Sequence, residues 1–504
     1  MVGAETSLTS RVRTVLPAGT DENRVRLAVA AVAFGIVASL AAAALQVQPA
    51  FVLTPLSMGL VVAALAVPFP AADYLLCFLL IGTFPLLPTT RLPNAPLAAA
   101  IVLIAAVRLG WAERSRLTRR PIILLAGFWA LVGVGSLFSA WPAPSLWLRP
   151  VAILALAAVA SFVGAIVALD RQRLERWCVA AVAAGGLISA TAVLFYFSQF
   201  AYPFNDAASW LAQSQAYVRG ESAGEFFHSV NNWVIWSPAG GLLRAVSIFA
   251  PSPHAVGGFA GLTIPVAVAM YISPSASRRI RWFALVTAWL DILALVLTMS
   301  RASWLAAAFA GLVGLAVVAW RFRERLALRR AAIVGATGVA VVLLSIGLIA
   351  INGPKAAGVG SRVTDVSNDP SVNVRVSSDK SAAGQIFDNP LSGYGIGGWA
   401  APGSLVGASY THNVYLEYGR AVGVPGLSWA IAIPGLFALG ALRSRRRLEI
   451  DRAATLVLAT AGSFVAVHFL FDDSLLNPQY AFLLFTAAGC AAAFAARTAA
   501  RNPI

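Results

Sequence analysis

Residues 331–352 read AAIVGATGVAVVLLSIGLIAIN, a run without a single Asp, Glu, Lys or Arg. About 20 such residues in a helix cross the roughly 30 Å hydrocarbon core of a bilayer. Similar runs recur along all 504 residues, of which 59% are hydrophobic and 12% charged, with a mean hydropathy of +0.78. This composition predicts an all-α integral membrane protein.

Further apolar runs lie on both sides of residues 331–352, and together they predict a polytopic bundle of 12–14 transmembrane helices. The third and fourth runs are the shortest and are interrupted by proline. The predicted spans are residues 27–46, 51–69, 72–87, 96–109, 121–140, 150–169, 177–199, 252–273, 282–299, 303–320, 331–352, 418–440, 453–471 and 478–496.

The net charge of +16 raises nucleic acid as a possible partner, but the distribution of arginine argues against it. Most basic residues fall in connections on one side of the predicted bundle, as at 114–120, 321–330 and 443–452. This is the positive-inside distribution of membrane proteins. We therefore expect a multi-pass protein of the plasma (inner) membrane with both termini in the cytoplasm and no nucleic acid partner.

Two long polar connections lie on the other side, and we expect them to cover one outer cavity. The first 26 residues lack a short apolar core with a cleavage site, so we expect a retained tail. The predicted segments are a cytoplasmic tail (1–26), transmembrane helices (27–199), an extracytoplasmic loop (200–251), transmembrane helices (252–352), a long extracytoplasmic catalytic loop (353–417), transmembrane helices (418–496) and a cytoplasmic tail (497–504).

Metal and cofactor sites are not indicated by the sequence. The three cysteines, Cys77, Cys178 and Cys490, all lie in apolar stretches without the spacing of metal ligands, and the four histidines do not cluster. The glycine run at 393–398 has no βαβ context, so a tight loop is a better interpretation than a dinucleotide site. We expect neither a cofactor nor a metal.

Three patterns on the outer side contain the residues suited to chemistry. The first runs from Arg244 through an aromatic and two prolines to His254, and the second is the tight turn around Arg301 between two spans. The third begins at Arg375 and leads through the glycine run to His412. There the sequence reads His-Asn, nine residues, Gly, two residues, Gly, as the loop enters an apolar segment.

Together and in this order, the patterns resemble the O-antigen ligase and O-antigen polymerase superfamily over roughly residues 240–475. Its members are bacterial membrane glycosyltransferases of the cell envelope with a C-type fold. They transfer a glycan from polyprenyl diphosphate, such as undecaprenyl diphosphate, to an acceptor on the outer face of the plasma membrane. The resemblance implies the same fold and activity here, in polysaccharide biosynthesis, with a lipid-linked glycan donor and a glycolipid, glycan or protein acceptor. It also implies a reaction without a metal.

The resemblance also implies roles for individual residues. His412, Arg301 and Arg244 match the positions of the family's catalytic residues. The family's loop arginine matches Arg375, with Arg362 as the alternative. One departure is His254, where the family more often has asparagine after the proline. The full set of substrate-binding candidates is Arg375, Arg362, Asn413, His254, Tyr415 and Arg420.

Elementary chemistry agrees with these roles. The planar fork of arginine binds phosphate oxygens in pairs, and preplaced guanidinium groups stabilise charge that develops on a leaving diphosphate. We expect His412 to begin a helix with Thr411 as a possible N-cap, and a helix N-terminus disfavours imidazolium. Neutral imidazole is the form that a general base requires. Direct attack by the acceptor would invert the anomeric centre.

Simpler interpretations stay open for several of these residues. Outer arginines commonly anchor spans at the membrane interface, and Arg420 can pair with Glu417 one helical turn away. Asp291, in mid-span, is expected to pair with an arginine or to line the cavity. Asp472 and Asp473, at an outer mouth, can contact sugar hydroxyls or face water.

Two alternatives to a ligase also stay open. A polymerase would use a second lipid-linked glycan as its acceptor. A secondary transporter would bind its substrate near the midplane, often on broken helices in repeated halves. We prefer the ligase to the polymerase, from which it differs only in its acceptor. The transporter is disfavoured, because the polar groups lie at the outer surface and the chain has no repeated halves.

Overall fold

The chain forms a bundle of helices in the computed structural model. The structure describes residues 19–47, 52–83, 94–116, 119–139, 144–202, 207, 209–214, 233–250, 252–322, 324–364, 370–396, 411–444, 449–472, 475 and 477–497. The principal helices are α1 (Gly19–Ala44), α2 (Thr54–Ala66), α3 (Ala71–Phe78, continued by a π-helical turn at Leu79–Thr83), α4 (Asn94–Ala112), α5 (Arg119–Leu137), α6 (Pro144–Val167), α7 (Arg171–Ala201), α8 (Pro253–Ile272), α9 (Arg278–Leu297), α10 (Arg301–Arg321), α11 (Arg325–Ala350), α12 (Ala357–Thr364), α13 (Pro370–Asp388), α14 (Val414–Val422), α15 (Val424–Arg443), α16 (Glu449–His468) and α17 (Pro478–Ala496).

Within these ranges, nine helices are long and apolar enough to cross a membrane, and four shorter apolar helices accompany them. The prediction of an all-α polytopic membrane protein is therefore confirmed. Each predicted span overlaps a helix, including the short third and fourth spans. The predicted tails lie mostly outside the described residues, at 1–18 and 498–504.

The span predicted at 418–440 is wrong as a single helix. It consists of α14 and α15, which meet at Gly423 with a φ of 72°. Pro425 lies in the first turn of α15, where its missing N–H costs no hydrogen bond. The backbone of Pro390 lies against Gly423, where an added Cβ would come within 2.4 Å of the Pro390 oxygen. The break makes α14 a separate short element at the end of the bundle.

Both long connections contain secondary structure. In the first, β1 (Val234–Ser237) and β2 (Gly240–Leu243) form an antiparallel hairpin, with Val234 opposite Leu243. The hairpin packs on Phe195 of α7 and delivers the chain directly to Arg244. In the second, α12 and α13 follow a short 3₁₀ turn at Gly353–Ala356. The remaining parts of these connections, including 215–232 and 397–410, lie outside the described residues, so the predicted outer cavity stays a prediction.

A buried ion network stabilises the end of the bundle opposite the hairpin. Arg173 of α7 donates from Nε to the Asp73 carboxylate at 2.9 Å and from Nη1 to the Glu113 carboxylate at 2.5 Å. Arg176 reaches the second Asp73 oxygen at 2.8 Å. Part of the arginine excess on this side is therefore neutralised within the protein.

Asp291 of α9 is hydrogen-bonded inside the bundle. Its two carboxylate oxygens accept hydrogen bonds from Ser189 of α7 and Thr263 of α8, each at 2.6 Å. The expected arginine partner is wrong, because two hydroxyl groups satisfy this carboxyl instead. Three helices are thereby linked across their shared interface.

Helices α6 and α17 pack through backbone contact. A Cβ added at Gly489 would come within 1.8 Å of the Ser161 oxygen, and one at Gly164 within 1.9 Å of the Thr486 oxygen. Small residues at such positions let membrane helices approach closely. This contact holds the last helix against the first half of the chain.

Replacing Gly489 by alanine should therefore destabilise the protein. The methyl group meets backbone that cannot move aside, and overpacking of this kind costs about 1–3 kcal/mol. Gly311→Ala is the matched control, because Gly311 is in mid-helix with nothing within 4 Å of the added Cβ. Thermal unfolding in detergent should show a lower midpoint for Gly489→Ala only, and equal midpoints would contradict the packing.

Candidate functional site

Arg244 fixes the tight turn between α9 and α10. Its Nε donates to the Thr298 carbonyl at 2.7 Å and its Nη2 to the Met299 carbonyl at 3.4 Å. These hydrogen bonds stabilise an unfavourable backbone conformation, because Met299 has a φ of 49°, in the left-handed region that non-glycine residues rarely adopt. Arg244 is 6% exposed. It therefore positions the residue that follows the turn, Arg301.

The start of α10 is capped by Ser300. Its Oγ accepts a hydrogen bond from the Ser303 amide at 3.4 Å, as an N-cap does. The same Oγ lies 2.9 Å from Nδ1 of His254, which is in the first turn of α8. Arg301, the first residue of α10, is partly buried. The sequence patterns around Arg301 and His254 are therefore joined through one serine.

A chain of buried polar groups extends from Ser300 to α16. The Ser303 hydroxyl donates to the Ser300 Oγ at 3.0 Å, and Nε2 of His468 lies 3.3 Å from the Ser303 Oγ. The Ser303 hydroxyl therefore links the α10 cap to the imidazole of His468. These contacts fix three helix ends, those of α8, α10 and α16, relative to one another.

Asp472 completes this cluster. One carboxylate oxygen lies 3.8 Å from Nδ1 of His254 and the other lies 3.8 Å from Nε2 of His468. Asp472 is 5% exposed. The guanidinium groups of Arg244 and Arg375 act electrostatically on His254 in the same region. Asp472 is thus a buried anion among histidines and arginines.

His412 lies just before α14 rather than in it. The helix begins at Val414, and the side-chain oxygen of Asn413 accepts the Leu416 amide at 3.2 Å. The expected N-cap at Thr411 is therefore wrong, because asparagine, one residue after His412, occupies the capping position. The Val414 amide donates to the Phe469 carbonyl at 2.9 Å, which fastens the start of α14 to the segment after α16.

Arg375 of α13 reaches the same segment, because its Nη1 donates to the Phe471 carbonyl at 3.3 Å. The charges of Arg375 and Asp472 both act on the pKa of His412. Burial lowers the pKa of His412 below its ordinary value, the Arg375 charge lowers the pKa further, and Asp472 opposes both effects. The imidazole is therefore neutral at pH 7, as a general base must be.

Arg420 and Tyr415 of α14 both have structural partners, Arg420 within α14 and Tyr415 on α16. Arg420 donates to the Glu417 carboxylate at 2.7 Å, and Thr411 donates to the same oxygen at 2.8 Å. Arg420 and Glu417 are both buried, at 4% and 6% exposure. The Tyr415 hydroxyl donates to the Ala466 carbonyl at 3.0 Å. These contacts favour a role in holding the His412 segment over direct substrate binding.

The structure thus brings His412, Arg375, Arg244, Arg301 and His254 to one end of the bundle. Arg362 is on α12, and its side chain lies outside the described residues, as do Gly397, Gly398 and Asp473.

Sequence reasoning gave little weight to His468 and Asp472. Their four-residue spacing at the end of a predicted span was the available signal, since so short a separation keeps both residues at the same mouth of the bundle. His468 is the last residue of α16, and Asp472 lies beyond the helix.

Replacing Arg420 by methionine should lower stability strongly. It leaves Glu417 as a buried and unpaired charge, which typically costs about 3–5 kcal/mol. Glu417→Met/Arg420→Met should recover part of that loss. Lys380→Met, an exposed cation on α13, is the control. Thermal unfolding measures each variant, and a wild-type midpoint for Arg420→Met would contradict the structural role.

Comparison with known proteins gives one family. The family model described as O-antigen ligase matches residues 286–431. The matched region contains Arg301, Arg375 and His412, whereas Arg244 and Asp472 lie outside it. No curated protein matches the chain. The predicted resemblance to the O-antigen ligase superfamily is confirmed over residues 286–431, where the family model matches.

Proposed function

We propose that the chain is a membrane glycosyltransferase that moves a glycan from polyprenyl diphosphate to an acceptor. The observation that carries the proposal is the convergence of three groups on the segment after α16. The helix that follows the partly buried His412 and the side chain of Arg375 both hydrogen-bond to this segment, and Asp472 belongs to it. The O-antigen ligase domain around it supports the reaction class. The acceptor is another lipid or a protein for a ligase and a second lipid-linked glycan for a polymerase. Ligase is the preferred alternative, because the family match bears that description.

The positive-inside distribution of arginine supports an active site on the outer face of the membrane. The described arginines of the clusters at 114–120 and 321–330 lie at bundle ends opposite the His412 segment. Both termini then lie in the cytoplasm. A lipid-linked donor enters sideways from the bilayer and presents its diphosphate at the membrane surface.

The reaction begins with two guanidinium groups on the diphosphate. Arg375, on the loop helix α13, and Arg301, at the N-terminus of α10, bind its oxygens as bidentate donors. Charge grows on the diphosphate as the glycosidic bond breaks, so fixed donors stabilise the transition state more than the bound substrate. Arg244 acts through the turn that presents Arg301, because its guanidinium contacts the turn carbonyls.

The acceptor hydroxyl then attacks the anomeric carbon. His412 takes the hydroxyl proton, the new bond between acceptor oxygen and sugar carbon forms, and polyprenyl diphosphate leaves with the electron pair of the broken bond. Asp472 stabilises the imidazolium, since its charge raises the pKa of His412. A single displacement of this kind inverts the anomeric centre. The proposed chemistry uses no metal.

His412→Ala should lower the release of polyprenyl diphosphate by about 10²–10⁴-fold, the usual contribution of a general base. Arg301→Ala should lower it by about 10²–10³-fold, as loss of a transition-state donor does. The assay uses the purified chain in nanodiscs, a lipid-linked glycan, a membrane extract as acceptor source, and EDTA in a parallel set. Lys380→Ala is the control. Normal release by folded His412→Ala would overturn the assignment of the base, and loss of release in EDTA would overturn the metal-independent reaction.

The position of the acid limb of the pH–rate profile should identify His412 as the titrating base, whatever the maximum rate of each variant. Because its pKa is lowered, the base stays neutral, and activity persists, below the ordinary histidine value of about 6.5. Activity falls as pH drops through the lowered pKa. Arg375→Gln removes a positive neighbour and should move this limb to higher pH, whereas Asp472→Asn should move it to lower pH.

The limb position is measured from kcat/KM, so it is separable from the overall loss of rate in either variant. Lys380→Gln, on the same helix as Arg375, controls for the loss of a positive charge at a neighbouring exposed position. Limbs that coincide for both variants and the wild type would show that another group is titrating.

A further inference from the structure

A cavity of about 440 Å³ lies inside the bundle at the end opposite His412. Its walls come from the first turns of α7, the second half of α8, the first half of α16 and the second half of α17. This volume is within the range of about 300–1,000 Å³ that small-molecule sites occupy. The cavity is separate from the proposed transferase site, whose residues lie at the other ends of these helices.

The interior of the cavity is apolar. Leu262 and Val266 of α8 face Val457 of α16 and Leu483 of α17, and the three cysteines of the chain also line it. Cys77 and Cys490 donate to backbone carbonyls, at 3.3 and 3.2 Å, so these thiols have local partners. Such walls suit a hydrocarbon chain and offer little to a polar ligand.

The entrance of the cavity is polar and exposed. It is formed by Arg171 and Glu175 of α7 together with Ser275 and Ser277 of the connection between α8 and α9. Both α7 and α9 begin at this entrance. Since these helices are candidate spans, the entrance lies near the membrane surface and the apolar interior extends toward the bilayer core.

The charge around the entrance favours an anionic head group. Arg278 and Arg279 lie exposed in the first turn of α9, directly after Ser277, and Arg281 in the same turn is partly buried. Arg171 is exposed, and its ion pair with Glu175 at 2.9 Å is open to water, so the pair is weak. Basic pockets between membrane helices attract lipids with phosphate head groups.

We propose that this cavity binds one acyl chain of an anionic phospholipid, whose phosphate lies at the entrance near Arg171 and the first turn of α9. The lipid comes from the leaflet on the arginine-rich side, so it is distinct from the glycan donor at the opposite face. An acyl chain in the cavity makes dispersion contacts with four helices, which stabilises the bundle.

The test compares cavity-filling variants with a variant outside the cavity. Ala454→Phe and Ala487→Phe place a ring in the cavity from two different helices, whereas Ala336→Phe adds the same ring on an exposed face of α11. Thermal unfolding of the purified full chain is followed as phosphatidylglycerol, phosphatidylcholine or a polyprenyl phosphate is added in detergent. Mass spectrometry measures the lipid that remains bound after purification.

We expect phosphatidylglycerol to raise the unfolding midpoint of the wild type and of Ala336→Phe and to be retained by both. Both cavity-filling variants should lose the shift and the bound lipid, while their midpoints without lipid stay at or above the wild-type value. Two filling sites are used, so that failure of one variant to fold leaves the other informative.

Arg171→Gln should reduce the preference for phosphatidylglycerol over phosphatidylcholine, with Arg329→Gln of α11 as the charge-matched control. An undiminished shift in both folded filling variants would overturn the proposal. So would a larger shift with polyprenyl phosphate than with phosphatidylglycerol, because the occupant would then be an isoprenoid chain. None of these outcomes depends on transferase activity.

Discussion

Every backbone N–H and C=O group inside a bilayer needs a partner within the protein, and this constraint shapes the whole chain. Helices satisfy it along the spans. Irregular backbone is concentrated at one end of the bundle, and side chains pair with it there: Arg244 with the turn at Thr298 and Met299, Ser300 with α10, and Asn413 with α14. The groups that satisfy the backbone are also the groups that position the candidate site.

The arrangement explains why residues far apart in the chain converge. His254 and Arg301 are joined through Ser300, and Asp472 lies between His254 and His468. Helix α14, which follows His412, is fastened to the end of α16 by the Val414 amide and the Tyr415 hydroxyl. A buried polar network of this kind fixes geometry only when its members are paired, and most contacts here are made by groups less than a tenth exposed.

The sequence predicted the spans well, because an apolar run near 20 residues has one stable structure in a bilayer. It predicted a continuous helix across Gly423, since hydropathy does not register a left-handed glycine. It also placed the cap at Thr411, because threonine and asparagine are both good N-caps and only the backbone shows which one is used. His468 and Asp472 were underweighted for another reason. A histidine at the end of an apolar helix does not by itself indicate a functional role, and the contacts of His468 with residues near α8 and α10 are visible only in the structure.

The two ends of the helix bundle carry different types of residue. One end gathers histidines, arginines and Asp472 around irregular backbone, whereas the other presents arginines around an apolar cavity. The asymmetry is that of a protein that meets different chemistry at the two membrane faces, with a phosphate-bearing glycan donor proposed at one and a phospholipid at the other. Close packing at Gly164 and Gly489 holds α17 against α6 within the bundle.

The most direct test of the account is the fate of a lipid-linked glycan given to the purified wild-type chain in nanodiscs. The glycan and the polyprenyl diphosphate are labelled separately, and the two labels are followed with and without an acceptor. The account predicts that the glycan label moves to the acceptor while polyprenyl diphosphate appears in equal amount. Retention of both labels on one molecule, with any acceptor offered, would contradict glycosyl transfer and favour a transporter.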